Sequence, residues 1–237
     1  MNNETKKPLA VISGGTGYIG SAVAEELKHR GWQVAILSRK ANDNANFPLY
    51  ICDITDEQQV GKAIAAITAA QGTISACIHA AATPLDRKAL LSTSLDSFTG
   101  SVDASLRGGF LLAKAVVPHV SHGASFIGIT TEALDAQKPG AMGSYLVAKH
   151  ALRGLLRVLA GELAGKSISV YAVAPGFLPG GLNGDLPPAV MEFLKKKDDK
   201  MQSPEDVAGL IADICEQPDT FSAGSSVNVA SRQATPL

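Results

Sequence analysis

The side chains in this sequence best arranged to move a proton are a tyrosine and a lysine four residues apart, in Tyr145-Leu146-Val147-Ala148-Lys149. On a helix, residues at i and i+4 share one face, so the phenol and the ammonium point into the same space. A free phenol ionises near a pKa of about 10, and a neighbouring cation favours the phenolate and draws that value toward neutrality. The pair therefore reads as an acid and base with its activator. Its plain alternative is a packing tyrosine near a helix start, since this spacing also arises by chance.

A second group of residues suits a different task. Ser13-Gly14-Gly15-Thr16-Gly17-Tyr18-Ile19-Gly20 lies between the apolar run Leu9-Ala10-Val11-Ile12 and a helical pattern, with glycines 14, 17 and 20 three apart. Glycine accepts positive φ and has no Cβ, so the chain can turn sharply and let a diphosphate approach backbone N–H groups at a helix N-terminus. A tight strand-to-helix turn has the same composition. Its place immediately after a first strand, in an alternating pattern, favours a dinucleotide site. The next strand, Val34-Ala35-Ile36-Leu37, ends in Ser38-Arg39-Lys40 with no acid to bond ribose hydroxyls. Arg39 offers a planar fork for an extra phosphate, which points to NADP(H) over NAD, the alternative being a solvated basic turn. Asp53 and Ile54 follow the third strand; Asp53 reads equally as a helix cap and as an acceptor for adenine.

These groups need a scaffold, and the pattern supplies one. Apolar runs near 8–13, 33–37, 48–51, 74–79, 124–130, 168–174 and 225–229 alternate with helical periodicities near 18–30, 56–71, 97–120, 143–164 and 204–216. That predicts a single α/β, doubly wound (Rossmann-type) domain over 1–237, with a seven-stranded, mostly parallel sheet and helices on both faces. Ser203-Pro204-Glu205-Asp206 has the features of a capped helix start. The segment 175–202 reads as irregular and too long for a plain connector, hence a lid over a site.

Composition narrows the function classes. With 237 residues, 46% hydrophobic and 18% charged, the chain can bury a large core, and its net charge of −1 gives no basic surface for nucleic acid or an anionic membrane. Cys52, Cys77 and Cys215 are too few and too scattered for a disulfide framework or a metal site. Met1 to Lys7 lacks the apolar core of a signal peptide, and no run is long enough to span a bilayer, so a soluble cytoplasmic protein is expected. His29, His119, His122 and His150 show no ligand spacing. His79, at the end of a central strand, is expected to meet a cofactor through its backbone. The charge run 195–200 reads as a solvated face.

Over nearly its whole length the chain resembles the short-chain dehydrogenase/reductase family. The matching pieces occur in the family's order: Ser13 to Gly20, Asp53, Ile78-His79-Ala80-Ala81-Ala82, Tyr145 with Lys149, and Pro175-Gly176. The resemblance implies that Tyr145 protonates a substrate carbonyl oxygen as nicotinamide delivers hydride, while Lys149 lowers the phenol pKa and binds the nicotinamide ribose. It implies cofactor contacts at Gly14, Thr16, Gly17, Tyr18, Ile19, Gly20, Ser38, Arg39, Asp53, Ile54, Ala80, Ala81, Tyr145, Lys149, Pro175 and Gly176. It also implies a homodimer or homotetramer through the helices at 97–120 and 143–164.

Several positions depart from the family pattern. The family places a serine about thirteen residues before the tyrosine to hold the developing oxyanion. This chain has Glu132 there, where a carboxylate would repel that charge. Thr131 keeps a hydroxyl and takes the role if the loop to Ser144 is one residue longer. The family's helical asparagine is Ser105, which either holds a relay water or packs. The threonine expected after Pro175-Gly176 is missing, with Gly180 near its place, and the glycine spacing is that of the family's extended branch.

The reading is an NADP(H)-dependent oxidoreductase acting on a ketone or alcohol, with Tyr145, Lys149, Thr131 and Ser105 as catalytic candidates and no metal. Phe177, Leu178, Leu182, Met191, Phe193, Leu134 and Met142 suggest a partly apolar pocket for a hydrophobic ketone or a 3-oxoacyl thioester. Arg107, Lys114, Arg153 and Arg157 read equally as a docking surface for an acyl carrier protein and as part of a subunit contact along the same helices. The alternatives are a cofactor-binding sensor or structural subunit that has lost its oxyanion donor, and an epimerase or dehydratase that recycles its cofactor.

Overall fold

Alternation of buried side chains along the strands sets the layers. In β1 (Leu9–Ser13) Leu9 and Val11 face one cluster of the core, while Ala10 and Ile12 face the other. A strand buried on both faces is the mark of a sheet covered by helices on each side. A computed structural model of the chain describes residues 7–41, 46–136, 142–166, 168–197 and 201–237. Most of the polar start Met1 to Lys7, part of the loop between Glu132 and Ser144, and the end of the charge run 195–200 lie outside the described residues.

After β1 come β2 (Gln33–Ser38), β3 (Leu49–Ile51), β4 (Ile74–His79), β5 (Val120–Ile129), β6 (Ile168–Ala174), β7 (Ser225–Asn228) and β8 (Ala234–Pro236). They form one sheet in the order β3-β2-β1-β4-β5-β6-β7-β8, parallel throughout except for the antiparallel β7–β8 pair. The chain reverses direction across the sheet at β1 and β4, so a crevice opens at their carboxyl ends. One face carries α2 (Glu57–Gln71), α4 (Gly108–Val116) and α5 (Gly143–Leu163); the other carries α1 (Tyr18–His29) and α7 (Pro204–Glu216). In α1 the buried residues Gly20, Val23, Ala24 and Leu27 recur at three and four, a single stripe against the sheet. Truncating a side chain as buried as Leu27 to alanine costs roughly 2–5 kcal/mol.

Three expectations change. The sheet has eight strands, because Ala234–Pro236 adds a short exposed edge that carries no apolar periodicity. The helix expected over 97–120 is α3 (Leu95–Val102), a π-turn over Asp103–Arg107, then α4, with Pro118 in a 3-10 turn from which β5 starts at Val120. The irregular segment 175–202 holds a 3-10 turn at Gly181–Asn183 and α6 (Pro188–Lys197), which starts on a proline suited to a first helical position. The capped start of α7 is as expected: Ser203 Oγ accepts from Asp206 N at 3.1 Å and Ser203 N donates to Asp206 Oδ2 at 2.7 Å.

Candidate active site

Gly14 closes the first turn at the crevice with φ +71°, and a Cβ there would stand 2.8 Å from the backbone of Ala81. Only glycine fits, so β1 and the strand-end turn after β4 can lie in contact. Gly17 N donates to Gly14 O at 2.9 Å, and α1 begins at Tyr18 with its N-terminus facing the crevice. No side chain caps that helix end, as suits a loop whose N–H groups serve an anion. A cavity of about 1360 Å³ runs from this loop across the carboxyl ends of the strands. Every cofactor-contact residue read from the sequence borders it, from Gly14 to Gly176, as does Thr131. A cradle that a Cβ at Gly14 would fill, an uncapped helix end and the cation Arg39 at the far end fit a phosphorylated dinucleotide.

At the opposite end of the cavity, α5 presents Tyr145 and Lys149. Lys149 is 3% exposed, donates from Nζ to Ile129 O at 2.7 Å, and stands 5.7 Å from the centre of the Tyr145 ring. Burial pushes its pKa down from 10.5 to about 8. The expectation that Lys149 holds the phenol pKa low is corrected: burial raises Tyr145 to about 12, and the Thr131 hydroxyl, facing the phenol, pulls the other way. Desolvation of the anionic form outweighs what the nearby groups offer. At neutral pH the phenol is therefore protonated.

Thr131, the last extended residue before a 3-10 turn, donates to Pro175 O at 3.3 Å and accepts from Ala133 N at 3.3 Å. Glu132 also borders the cavity, but its carboxylate points along the strand ends: Oε2 accepts from Asn228 Nδ2 at 2.9 Å, and Oε1 lies where a Cβ on Gly176 would stand. Gln202 completes this brace by accepting from Gly176 N at 2.9 Å. Thr131 and Glu132 both border the cavity, but the Glu132 carboxylate is committed to Asn228.

Ser105 is 3% exposed and does not border the cavity. Its carbonyl accepts from His79 Nε2 at 3.0 Å, so that nitrogen carries the proton and Nδ1 accepts from Ser13 Oγ at 2.8 Å. His79 thus meets β1 and the π-turn through its ring, and the ring does not border the cavity. The ring rests against Gly108 and Gly109, where a Cβ would stand 3.4 and 3.3 Å away. A side chain drawing one carbonyl out of the helical ladder is a physical cause for the wider π-turn. Burial, with Lys149 nearby, lowers the His79 pKa from 6.5 to about 4.

Asp53 is not the helix cap. Asp56 Oδ1 accepts from Gln58 N and Gln59 N at 2.9 and 3.1 Å, while Asp53 accepts from Thr55 N and Oγ1 at 2.9 and 2.8 Å, which holds its carboxyl below the usual range. Of the apolar residues expected in the pocket, Phe177, Leu178, Leu182 and Met142 border it; Leu134, Met191 and Phe193 do not. Two of the cations offered for docking have acid partners: Lys114 with Glu57 at 2.7 Å and Arg153 with Asp135 at 3.0 Å. Among the described residues no group of three metal-ligating side chains occurs, and no helix is long and apolar enough to cross a membrane. Sequence reasoning missed Arg87 and Asn228, which reach the cavity from distant segments and carry no local motif, and Gln202, which braces Gly176 behind it.

The comparisons agree with this geometry. A family model described as enoyl-(acyl carrier protein) reductase matches residues 16–231. Carbonyl reductase family member 4 of Danio rerio is 32% identical over 180 residues, 72% of this chain and 75% of that protein. The 3-oxoacyl-[acyl-carrier-protein] reductase FabG of Rickettsia bellii is 26% identical over 232 residues, covering 93% of this chain and 94% of its own. In fold, the ligand-free aldohexose dehydrogenase of Thermoplasma acidophilum superimposes with a TM-score of 0.85 at 22% identity, over 98% of both chains. With its glycine loop and its tyrosine and lysine on one helix facing one cavity, the chain belongs to the short-chain dehydrogenase/reductase family of oxidoreductases.

Proposed function

We propose that this protein is an NADP(H)-dependent carbonyl reductase whose catalytic groups are Tyr145, Lys149 and Thr131. One observation carries the reading: Thr131, Tyr145 and Lys149 all border the one continuous cavity that begins at the Gly14–Gly20 loop. A nicotinamide dinucleotide held along Gly14–Gly20, Ser38, Arg39, Asp53, Ile54, Ala80, Ala81, Pro175 and Gly176 supplies the hydride chemistry when bound. The chain does the rest. Thr131 Oγ1, turning its one O–H from Pro175 O, donates to the substrate carbonyl oxygen, and Tyr145 gives that oxygen its proton as negative charge develops. Lys149, fixed by Ile129 O, keeps a positive charge beside the phenolate that remains.

Ser105 serves this site as part of the π-turn behind its wall. Phe177, Leu178, Leu182 and Met142 support a hydrophobic ketone or 3-oxoacyl thioester as substrate, in keeping with the 3-oxoacyl-[acyl-carrier-protein] reductase of Rickettsia bellii. Leu95, Phe110 and Val158, exposed on α3, α4 and α5, support association of copies through these helices. The decisive experiment titrates NADPH and NADH and then follows NADPH oxidation over ketones and 3-oxoacyl thioesters, with the native chain and Tyr145→Phe. Turnover by the native chain and its loss in Tyr145→Phe are expected. Equal rates in both would refute the catalytic role, and tight NADPH binding with no turnover on the whole panel would favour the sensor reading.

A further inference from the structure

The dinucleotide loop and the lid touch through one side chain. Tyr18 opens α1 directly after Gly17, the N-cap, and its side chain lies against Gly180 and Gly181 of the lid. A Cβ on Gly180 would stand 2.6 Å from Tyr18 Cζ and 2.9 Å from its hydroxyl oxygen; one on Gly181 would stand 2.8 Å from Tyr18 Cβ. Gly181 also has φ +61°, which disfavours any other residue. The ring is 39% exposed, so burial in the core does not dictate where it lies.

On the far side of the same turn, Arg87 Nη2 donates to Leu182 O and Asn183 Oδ1 at 3.0 Å each and to Asp185 Oδ1 at 3.1 Å. Asn183 Nδ2 donates back to Leu178 O at 2.9 Å. Residues 180–185 are therefore held between an aromatic ring from the cofactor loop and a guanidinium from the segment after β4. Tyr18, Arg87, Gly180 and Leu182 all border the one cavity.

We propose that Tyr18 is a positioning residue that couples filling of the dinucleotide loop to seating of the substrate lid. The proposal rests on the cofactor reading above. A diphosphate against the N–H groups of Gly17–Ile19 holds the start of α1 in one arrangement, and with it the ring on which Gly180 and Gly181 rest. By linkage the effect is mutual: a seated lid strengthens dinucleotide binding by the factor with which the dinucleotide favours the seated lid. Tyr18 acts through the lid and takes no part in proton or hydride transfer.

The test uses the full chain and trypsin, which cuts after Lys195, Lys196 and Lys197 in the lid helix. Cleavage is timed without NADPH and at NADPH saturating for each variant, with affinity titrated in the same samples by NADPH fluorescence. For the native chain and Tyr18→Phe, which keeps the ring, NADPH is expected to slow cleavage roughly tenfold. For Tyr18→Ala, and for Gly180→Ala, which pushes the ring away from the lid side while leaving the loop sequence intact, the slowing should fall below about twofold. Full protection in both alanine variants at saturating NADPH overturns the coupling while leaving the cofactor reading intact. Absence of NADPH binding by the native chain overturns the cofactor reading and the coupling with it.

Discussion

Lys149 Nζ donates to the carbonyl of Ile129 at 2.7 Å while standing 5.7 Å from the centre of the Tyr145 ring. The ammonium is thus positioned by β5 and is not bonded to the phenol it is meant to assist. Its influence on Tyr145 is that of a charge held at a distance, and a charge needs a cation. Lys149→Met should lower kcat by about a hundredfold or more, and Tyr145→Phe by roughly a thousandfold, with the folded state intact by circular dichroism. A Lys149→Met variant at native kcat would remove the lysine from the chemistry.

The same lysine gives a pH signature. Its folded pKa of about 8 lies below the ordinary 10.5, so between these values the unfolded chain holds more protons and stability rises with pH. Below pH 8 the native chain bears the full cost of a buried ammonium. Lys149→Met should therefore be more stable than the native chain at pH 7, by roughly 1–3 kcal/mol, and the gap should narrow by pH 10. Thermal melts of both proteins across this range read the difference directly.

His79 gives the corresponding signature in acid. With a folded pKa of about 4 against an ordinary 6.5, it contributes stability that is complete above 6.5 and is lost as pH falls toward 4. Replacing it by glutamine removes that titration. Urea unfolding should show His79→Gln less stable than the native chain at pH 7, with a flatter fall between pH 6.5 and 4.

Thr131 and Glu132 separate by mutation. Thr131→Ala should reduce kcat by about 10²–10³ because it removes the donor facing the developing oxyanion. Glu132→Gln keeps the acceptor for Asn228 and should cost less than about tenfold. A larger loss for Glu132→Gln than for Thr131→Ala would reverse the assignment.

Arg39→Ala should weaken NADPH binding by about tenfold or more while changing NADH binding little, since only the former presents a phosphate to a charge-assisted hydrogen bond. Fluorescence titration of both nucleotides gives the ratio, and an unchanged ratio would place the preference elsewhere.

What could be read from the sequence follows from what is local. The loop Gly14–Gly20, the Tyr145 helix and the Ser203 cap are short contiguous patterns, and the structure has them within a residue or two of their expected limits. The parallel direction of the first seven strands was legible from their alternation with helices, whereas their order in the sheet comes from the structure. The π-turn at Asp103–Arg107 was not legible, because its cause is a histidine 26 residues away by the Ser105 contact. The contact that holds Glu132 was not legible, because its partner Asn228 comes from a segment beyond β6. The phenol pKa went the wrong way because spacing reveals a neighbouring cation and says nothing of desolvation.

The two rims of the sheet are both three residues long, β3 at one side and β8 at the other. A rim is where an unrelated strand would add itself by backbone pairing, and so where fibrous aggregation starts. Here β8 runs against its one neighbour, β7, and ends in Pro236, which has no N–H to offer, and it leaves an incoming strand almost nothing to pair with. The late hairpin acts as a stopper at this rim of a large, apolar, otherwise extensible sheet.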